Sequence, residues 1–256
     1  MSLSELVLDY LAFCKCRAEY VKNGKIDLSK VRDIHPTMLL PMAYVVNVNS
    51  VVLPKDQTAL KYVSAILNKS NESDGNILPL VELPKKKDES DEIMQKMLSL
   101  GRNDVFIGGT NALGLLIGEL ETNIYEHSQF THSFVMGHRY KTHTEICFFD
   151  NGITIAGSLA KAGLKFEDDK EALQMATTGT SSKVSKERGF GLQHSINLVK
   201  NGLNGELLII SGKAGAFLSS SVTENLELNE ETELKGTLIS VKIPIQREKV
   251  DIYTVI

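Results

Sequence analysis

The second half of the chain is governed by strand-like stretches, several parted only by short turns: Ser133 to Lys141, Glu145 to Phe149, Leu207 to Ile210, Ala216 to Ser220 and Thr237 to Ile243. Strands joined so closely favour antiparallel pairing, because a parallel pair needs a crossover of about a dozen residues or more. Helical patterns run from about Asn111 to His127 and from Gly191 to Lys200, and the Gly- and Ser-rich region Gly152 to Gly191 contains some helix. The combination predicts an α+β sandwich, an antiparallel or mixed sheet with helices on one face.

Two polar stretches interrupt the first hundred residues, Asn68 to Asn76 and Pro84 to Glu92, and neither has apolar periodicity. Both read as loops. The second, with its alternating charge, is the better domain boundary and divides the chain into residues 1–90 and 91–256. In the first part a helix is predicted over residues 3–22, with Leu3, Leu6, Val7, Tyr10 and Cys14 at helical spacing. The alternation of Ile26 and Leu28 suggests a strand. An apolar segment from Met38 to Val46, a strand-like Ser50 to Pro54 and a helix over Thr58 to Leu67 complete a small α/β unit. Internal repeats are not visible.

At 256 residues, with 42% hydrophobic and 23% charged residues, the chain can bury a sizeable core and lacks the bias of a disordered, collagenous or coiled-coil protein. A formal net charge of -4 supplies no field to hold a polyanion, which argues against nucleic acid. Cys14, Cys16 and Cys147 are an odd number, and the Cys-Lys-Cys pair is too tight for ordinary disulfide or zinc spacing. A reduced, cytoplasmic compartment is expected. No apolar run approaches the roughly 20 residues that span a bilayer, so no membrane insertion is expected.

Three elements carry residues suited to chemistry. No P-loop motif is present, and Gly189-Phe190-Gly191 lacks the third glycine of the dinucleotide fingerprint. In the helix containing Gly118 to Ser128, Leu113, Leu116, Ile117, Leu120 and Ile124 form one apolar stripe, and Glu119, Asn123 and His127 form a polar row along its edge. Side chains at such an edge can line a pocket, and an oxygen ligand there suits a hydrated Mg²⁺. Taken alone, the pattern is also that of an ordinary amphipathic helix. The apolar strand Ile146 to Phe149 ends in Asp150-Asn151-Gly152, where a carboxylate can accept from an exocyclic amine such as that of adenine; its plain alternative is a turn. In the stretch from Thr177 to Leu192, hydroxyls including Thr180 stand with Lys183, Lys186 and Arg188 before a Gly-x-Gly and a helix. That is either an anion site or a surface loop.

In this order and spacing the three elements resemble the GHKL superfamily of ATP-binding domains, which includes gyrases, heat-shock chaperones, histidine kinases and mismatch-repair ATPases. Its ELxxN motif is matched by Glu119-Leu120-Glu121-Thr122-Asn123, its D-x-G motif by Asp150-Asn151-Gly152, and its G-x-G-L motif by Gly189-Phe190-Gly191-Leu192. The closing strand Gly236 to Pro244 is similar to the family's last strand. The resemblance covers residues 105–245. It implies a two-layer Bergerat-type α/β sandwich, Mg²⁺ on Asn123, and adenine on Asp150 with Gly152 and Thr237 beside it. It also implies a cofactor pocket completed by His127, Thr180, Lys183, Gly189, Gly191 and Leu192, and a mobile ATP lid between Gly152 and Gly189. At the place of the family's second glycine this chain has the stiffer Thr154.

A conventional histidine kinase is disfavoured, because the one upstream His, His35, precedes the helix-breaking Pro36. The short ATP domain with Asn123 to Ser128 after the ELxxN glutamate is more similar to the anti-sigma-factor serine kinases. The segment Ile26 to Leu39 resembles the STAS domains that such kinases phosphorylate, with Thr37 at the phosphoacceptor position and His35, Pro36 and Met38 departing from the pattern. The resemblance implies a signalling protein in two parts, STAS-like and GHKL, that binds Mg·ATP. The expected partners are ATP, a protein partner or protein substrate, and a second copy in a homodimer. Glu119 would polarise an attacking hydroxyl in a kinase or activate water in an ATPase; an ATP-driven switch and a non-catalytic interaction module are the alternatives. His132, His138 and His143 are irregularly spaced for a metal site, with two expected to point to opposite faces from the third. Asp168-Asp169 and Lys85 to Lys87 read as solvated surface.

Overall fold

Strand β5 (His143–Asp150) is buried at every position except His143, on both of its alternating faces. A sheet containing it has to be covered on both sides. The computed structural model describes residues 3–29, 35–46, 50–57, 60, 63, 76–100, 108–179 and 191–255. Over these, the chain is an α+β protein built on a seven-stranded sheet. Its strands are β3 (Ile77–Glu82), β4 (Ser133–Arg139), β5, β6 (Glu206–Gly212), β7 (Ala214–Ser219), β8 (Thr223–Glu227) and β9 (Leu234–Pro244), in the order β3-β4-β5-β9-β6-β7-β8. Every pairing in it is antiparallel, not mixed. The long β9 joins β5 to β6 at the centre.

Helices lie on both faces, not on one. Phe134, Met136, Cys147, Phe149, Leu208, Ile210 and Leu238 share a core with Leu6, Tyr10 and Phe13 of α1 (Glu5–Asn23) and Leu39 and Leu40 of α2 (Pro36–Val45). On the opposite face Val135, Ile146, Phe148, Leu207, Ile209 and Val241 pack against other helices. These are α3 (Asp91–Ser99), α4 (Thr110–Asn123) and α7 (Gly191–Asn197), through Met97, Leu113, Leu116, Leu120 and Ile196. The physical reason is the run Ile146 to Phe149: four apolar side chains in succession point alternately to both faces, and each face needs a cover.

The N-terminal elements therefore serve as the second cover of the sheet. Ile26–Asp27 (β1) and Val51–Val52 (β2) make a two-residue parallel pair beside it. The helix expected over 58–67 falls almost wholly outside the described residues. Pro36 does not break a helix but starts one at its first position, where the missing N–H has no intrahelical partner to lose. β3, which precedes the polar stretch at 84–92, is the edge strand next to β4. It carries Pro79, and the register shifts between Leu78 and Val81; an edge tolerates both. Between Gly152 and Gly189, α5 (Ile155–Lys161) and α6 (Asp169–Thr177) are packed through Ala156, Leu159, Ala172 and Leu173. The expected lid thus contains two short helices, and its residues 180–189 lie outside the described residues. Asp168 and Asp169 are engaged as well: Asp168 caps α6 by accepting the Glu171 N–H at 2.8 Å, and Asp169 accepts the Lys213 N–H at 2.7 Å.

Candidate functional site

The apolar stripe of α4 is buried as its spacing predicts, which leaves Glu119 and Asn123 half-buried at its edge. After Asn123 the helix widens into a π-turn, Ile124–Ser128. The four-residue spacing that aligns Glu119 with Asn123 no longer aligns His127, which sits half-buried within that turn. The two glutamates of the motif differ in role. Glu121 is buried and accepts a hydrogen bond from Ser90 Oγ, tying α4 to the start of α3. Glu119 faces α7: a Cβ built on Gly191 would come within 2.4 Å of Glu119 Oε2 and 3.6 Å of Asn123 Oδ1. Asn123 Nδ2 is buried and has no hydrogen-bond partner among the described residues.

Asp150 ends β5 on the α4 side of the sheet and is 4% exposed. Its Oδ1 accepts the Gly152 N–H at 2.9 Å. Burial pushes its carboxyl up to about 7, only partly offset by that bond. Gly152 is required by space: a Cβ there would lie 2.0 Å from the Ser128 carbonyl oxygen, the same oxygen that accepts the Ile153 N–H at 2.6 Å. The Asp-Asn-Gly turn is thus clasped to the end of the π-turn that follows Asn123. Asn151 works as turn chemistry, its Oδ1 accepting the N–H groups of Thr131 and His132 at 3.0 and 2.7 Å. Thr237 stands opposite Asp150 in the β5–β9 register, and its Oγ1 lies 3.1 Å from Ser211 Oγ. Gly236 has a φ of +106°, and a Cβ there would stand 1.9 Å from the Asp150 carbonyl oxygen, so only glycine fits.

Thr154 takes ordinary extended torsions, φ -66° and ψ 170°, and caps α5 by accepting the Gly157 N–H at 3.1 Å. No glycine is needed there. The structure therefore gathers Glu119, Asn123 and Gly191 in one group and Asp150, Gly152 and Thr237 in another, joined through Ser128. Leu192 is half-buried against the α4-side core. Thr180, Lys183 and Gly189, with Lys186 and Arg188, lie outside the described residues.

A second polar group lies on the other face, under α1 and α2, and sequence reasoning missed it. Glu145 is fully buried; its Oε1 is 3.0 Å from His35 Nδ1 and 3.2 Å from His143 Nε2. The Tyr140 hydroxyl is 3.2 Å from His35 Nδ1, and its ring stacks on His143. Burial opposes charge on Glu145, but the two histidine bonds pull its carboxyl down to about 2. Burial likewise opposes charge on His35, and the hydrogen bond and charge of Glu145 raise it to about 9. Burial dominates elsewhere, lowering His138 to about 4 and raising Asp9 to about 6. Across the β4–β5 hairpin His138 pairs with Glu145, so His138 and His143 share one face. His132 lies near the far end of β4 with Tyr44 and Phe134 and on that side too, which corrects the expectation of opposite faces. Thr37 is fully buried with its hydroxyl on Ser240 Oγ, so it is not presented as a phosphoacceptor. The available sequence signal was Glu145 itself, a lone charge leading into the apolar run Ile146 to Phe149.

No model of a known protein family matches the chain, and no curated protein matches it. Among the described residues, no helix is long and apolar enough to cross a membrane.

Proposed function

We propose that this chain is a Mg·ATP-binding signalling protein of the GHKL kind, and that it transfers the terminal phosphoryl group to a hydroxyl of another protein. The observation that carries the reading is the closeness of Gly191 to Glu119, with Asn123 Oδ1 beside them, since it joins two motifs far apart in the sequence at one spot. The donor set fits the cofactor. Asn123 Oδ1, an oxygen donor of the kind Mg²⁺ takes, lies beside Gly191; Asp150 offers a buried carboxylate to an adenine amine; Gly152 lets the backbone approach that carboxylate, and Gly236 lets β9 approach the Asp150 main chain.

In this reading Asn123 holds the magnesium ion and Asp150 accepts from the adenine amine. Bound Mg²⁺ would neutralise phosphate charge. Glu119 accepts a hydrogen bond from the attacking hydroxyl and orients it, which is positioning and proton removal. Gly191, having no side chain, leaves the Glu119 carboxylate room to turn toward that hydroxyl. For the N-terminal region we propose a covering role in place of the STAS-like acceptor, because α1 and α2 pack on the sheet and Thr37 is inside. The acceptor is then a separate protein.

Titration of the full chain with a fluorescent ATP analogue tests the first half of the reading. Saturable binding that Mg²⁺ strengthens is expected, and no binding at millimolar nucleotide would leave an interaction module. Radiolabel transfer from γ-labelled ATP to a candidate protein, against release of free phosphate, separates kinase from ATPase.

A further inference from the structure

We propose that Asp9, His35 and Glu145 form a binding site for a divalent transition-metal ion of the Zn²⁺ class, which ties α1 and the start of α2 to β5. The three residues come from three separate elements, yet their ligand atoms all lie within 4.8 Å of one another. Adjacent ligands around one such ion stand about 3 Å apart, from bonds of about 2.0–2.2 Å. His35 Nδ1 and Glu145 Oε1 are 3.0 Å apart, a hydrogen bond that an ion would replace as the imidazole gives up its proton. Small side-chain shifts would close the rest.

The independent sign of a ligand is what the carboxylates lack. Glu145 is wholly buried, and while Oε1 is held by His35 and His143, Oε2 is buried without a partner among the described residues. Among the described residues Asp9 Oδ2 is buried and unpartnered as well. The neighbouring cations bond neither atom: Lys242 is engaged by Glu5, and His35 is bonded to the other Glu145 oxygen, Oε1. A carboxylate oxygen kept from water without a hydrogen bond is costly, and one divalent ion would answer both. The site is on the α1/α2 face, opposite Glu119 and Asn123, so it stands apart from the proposed Mg·ATP site and does not depend on it.

The donors select the ion. Mg²⁺ and Ca²⁺ take oxygen ligands, whereas an imidazole with two carboxylates and no thiolate suits Zn²⁺, Mn²⁺ or Fe²⁺. His143 acts as a positioning residue: holding Glu145 Oε1 turns Oε2 toward the ion.

The full chain, stripped with dipicolinate and titrated with Zn²⁺ against a chromophoric chelator, tests the proposal. One Zn²⁺ per chain should bind, with a rise in melting temperature that Mg²⁺ at the same concentration does not give. Asp9→Asn and Glu145→Gln should each weaken binding by about 100-fold or more, while His132→Ala, at the far end of β4, should leave it unchanged. Should Glu145→Gln fail to fold, the half-buried Asp9→Asn and the visible absorption of Co²⁺ in the parent protein decide the matter. No stoichiometric binding by the parent, or binding that survives Asp9→Asn, overturns the site.

Discussion

A methyl group on the Cα of Gly191 would stand 2.4 Å from Oε2 of Glu119, so the first residue of α7 and the carboxylate of α4 are in direct contact. Gly191→Ala forces that carboxylate aside. Nucleotide affinity or turnover should fall by about 10- to 100-fold, the equivalent of about 1–3 kcal/mol of overpacking. Gly118→Ala is the matched control in α4. Among the described residues nothing beyond its own helix backbone lies within 4 Å of its would-be Cβ, and alanine is the better helix former, so it should add about 0.5–1 kcal/mol in urea denaturation. Equal nucleotide affinity in both variants would remove Gly191 from the site.

Asp150 gives a pH dependence of definite sign. Its carboxyl is raised by burial to about 7 from the ordinary 3.8, so between those values the folded protein holds a proton that the unfolded chain has lost. Stability from this group is therefore full below about pH 4 and declines as pH rises toward 7. Asp150→Asn should flatten that slope in denaturation midpoints measured from pH 4 to 8.

The same carboxyl reads out in binding. An adenine amine donates to the charged form, so nucleotide affinity should strengthen as pH rises from 6 to 8. Below pH 7 binding should release a proton, detected by calorimetry in buffers of different ionisation enthalpy. Asp150→Asn should remove the proton release and weaken binding by about 1.5–3 kcal/mol. Affinity that is unchanged by the substitution and flat across this pH range would falsify the adenine assignment.

How much of this was legible beforehand depends on sequence separation. Local periodicity was enough for α1, α4 and β5, because Leu113 to Ile124 and Ile146 to Phe149 each carry their own pattern. It missed β3, where Pro79 disguises an edge strand, and β8, whose Thr223–Glu227 is almost wholly exposed and has no apolar alternation to see. Pro36 was misread because the same missing N–H that breaks a helix interior is harmless at a first turn. The row Glu119, Asn123 and Asp150-Asn151-Gly152 was visible as motifs, but the closeness of Gly191 to Glu119 needed the fold. The group of Asp9, His35 and Glu145 had no shared sequence signature, only the lone charge of Glu145 before its apolar run. Its members are drawn from α1, the cap of α2 and β5, and only packing of the N-terminal helices on the sheet brings them together.

Asn123 separates metal from nucleotide. Its Nδ2 lacks a partner among the described residues, so Asn123→Ala breaks no bond from that atom and should leave the fold intact. Binding of the nucleotide without Mg²⁺ should be nearly unaltered, while the gain that Mg²⁺ supplies should disappear, because only the metal-linked contact is lost. Equal strengthening by Mg²⁺ in parent and variant would assign the ion to other ligands.

The last prediction concerns Thr37 and Ser240, whose hydroxyls meet in the fully buried layer between α2 and β9. Thr37→Val replaces one hydroxyl by a methyl of similar size and leaves the other without its partner, which should cost about 1–3 kcal/mol. Ser240→Ala should cost a similar amount for the reciprocal reason. The double variant loses both polar groups together, and its cost should fall short of the sum by about 1 kcal/mol or more, a coupling that only neighbours show. Strict additivity in urea denaturation would place the two hydroxyls out of contact. The same burial predicts the phosphorylation result: after incubation with γ-labelled ATP, peptide mapping of the full chain should find no label on Thr37. Label at that residue would require α2 to leave the sheet, and would restore the N-terminal region as a substrate of its own neighbouring site.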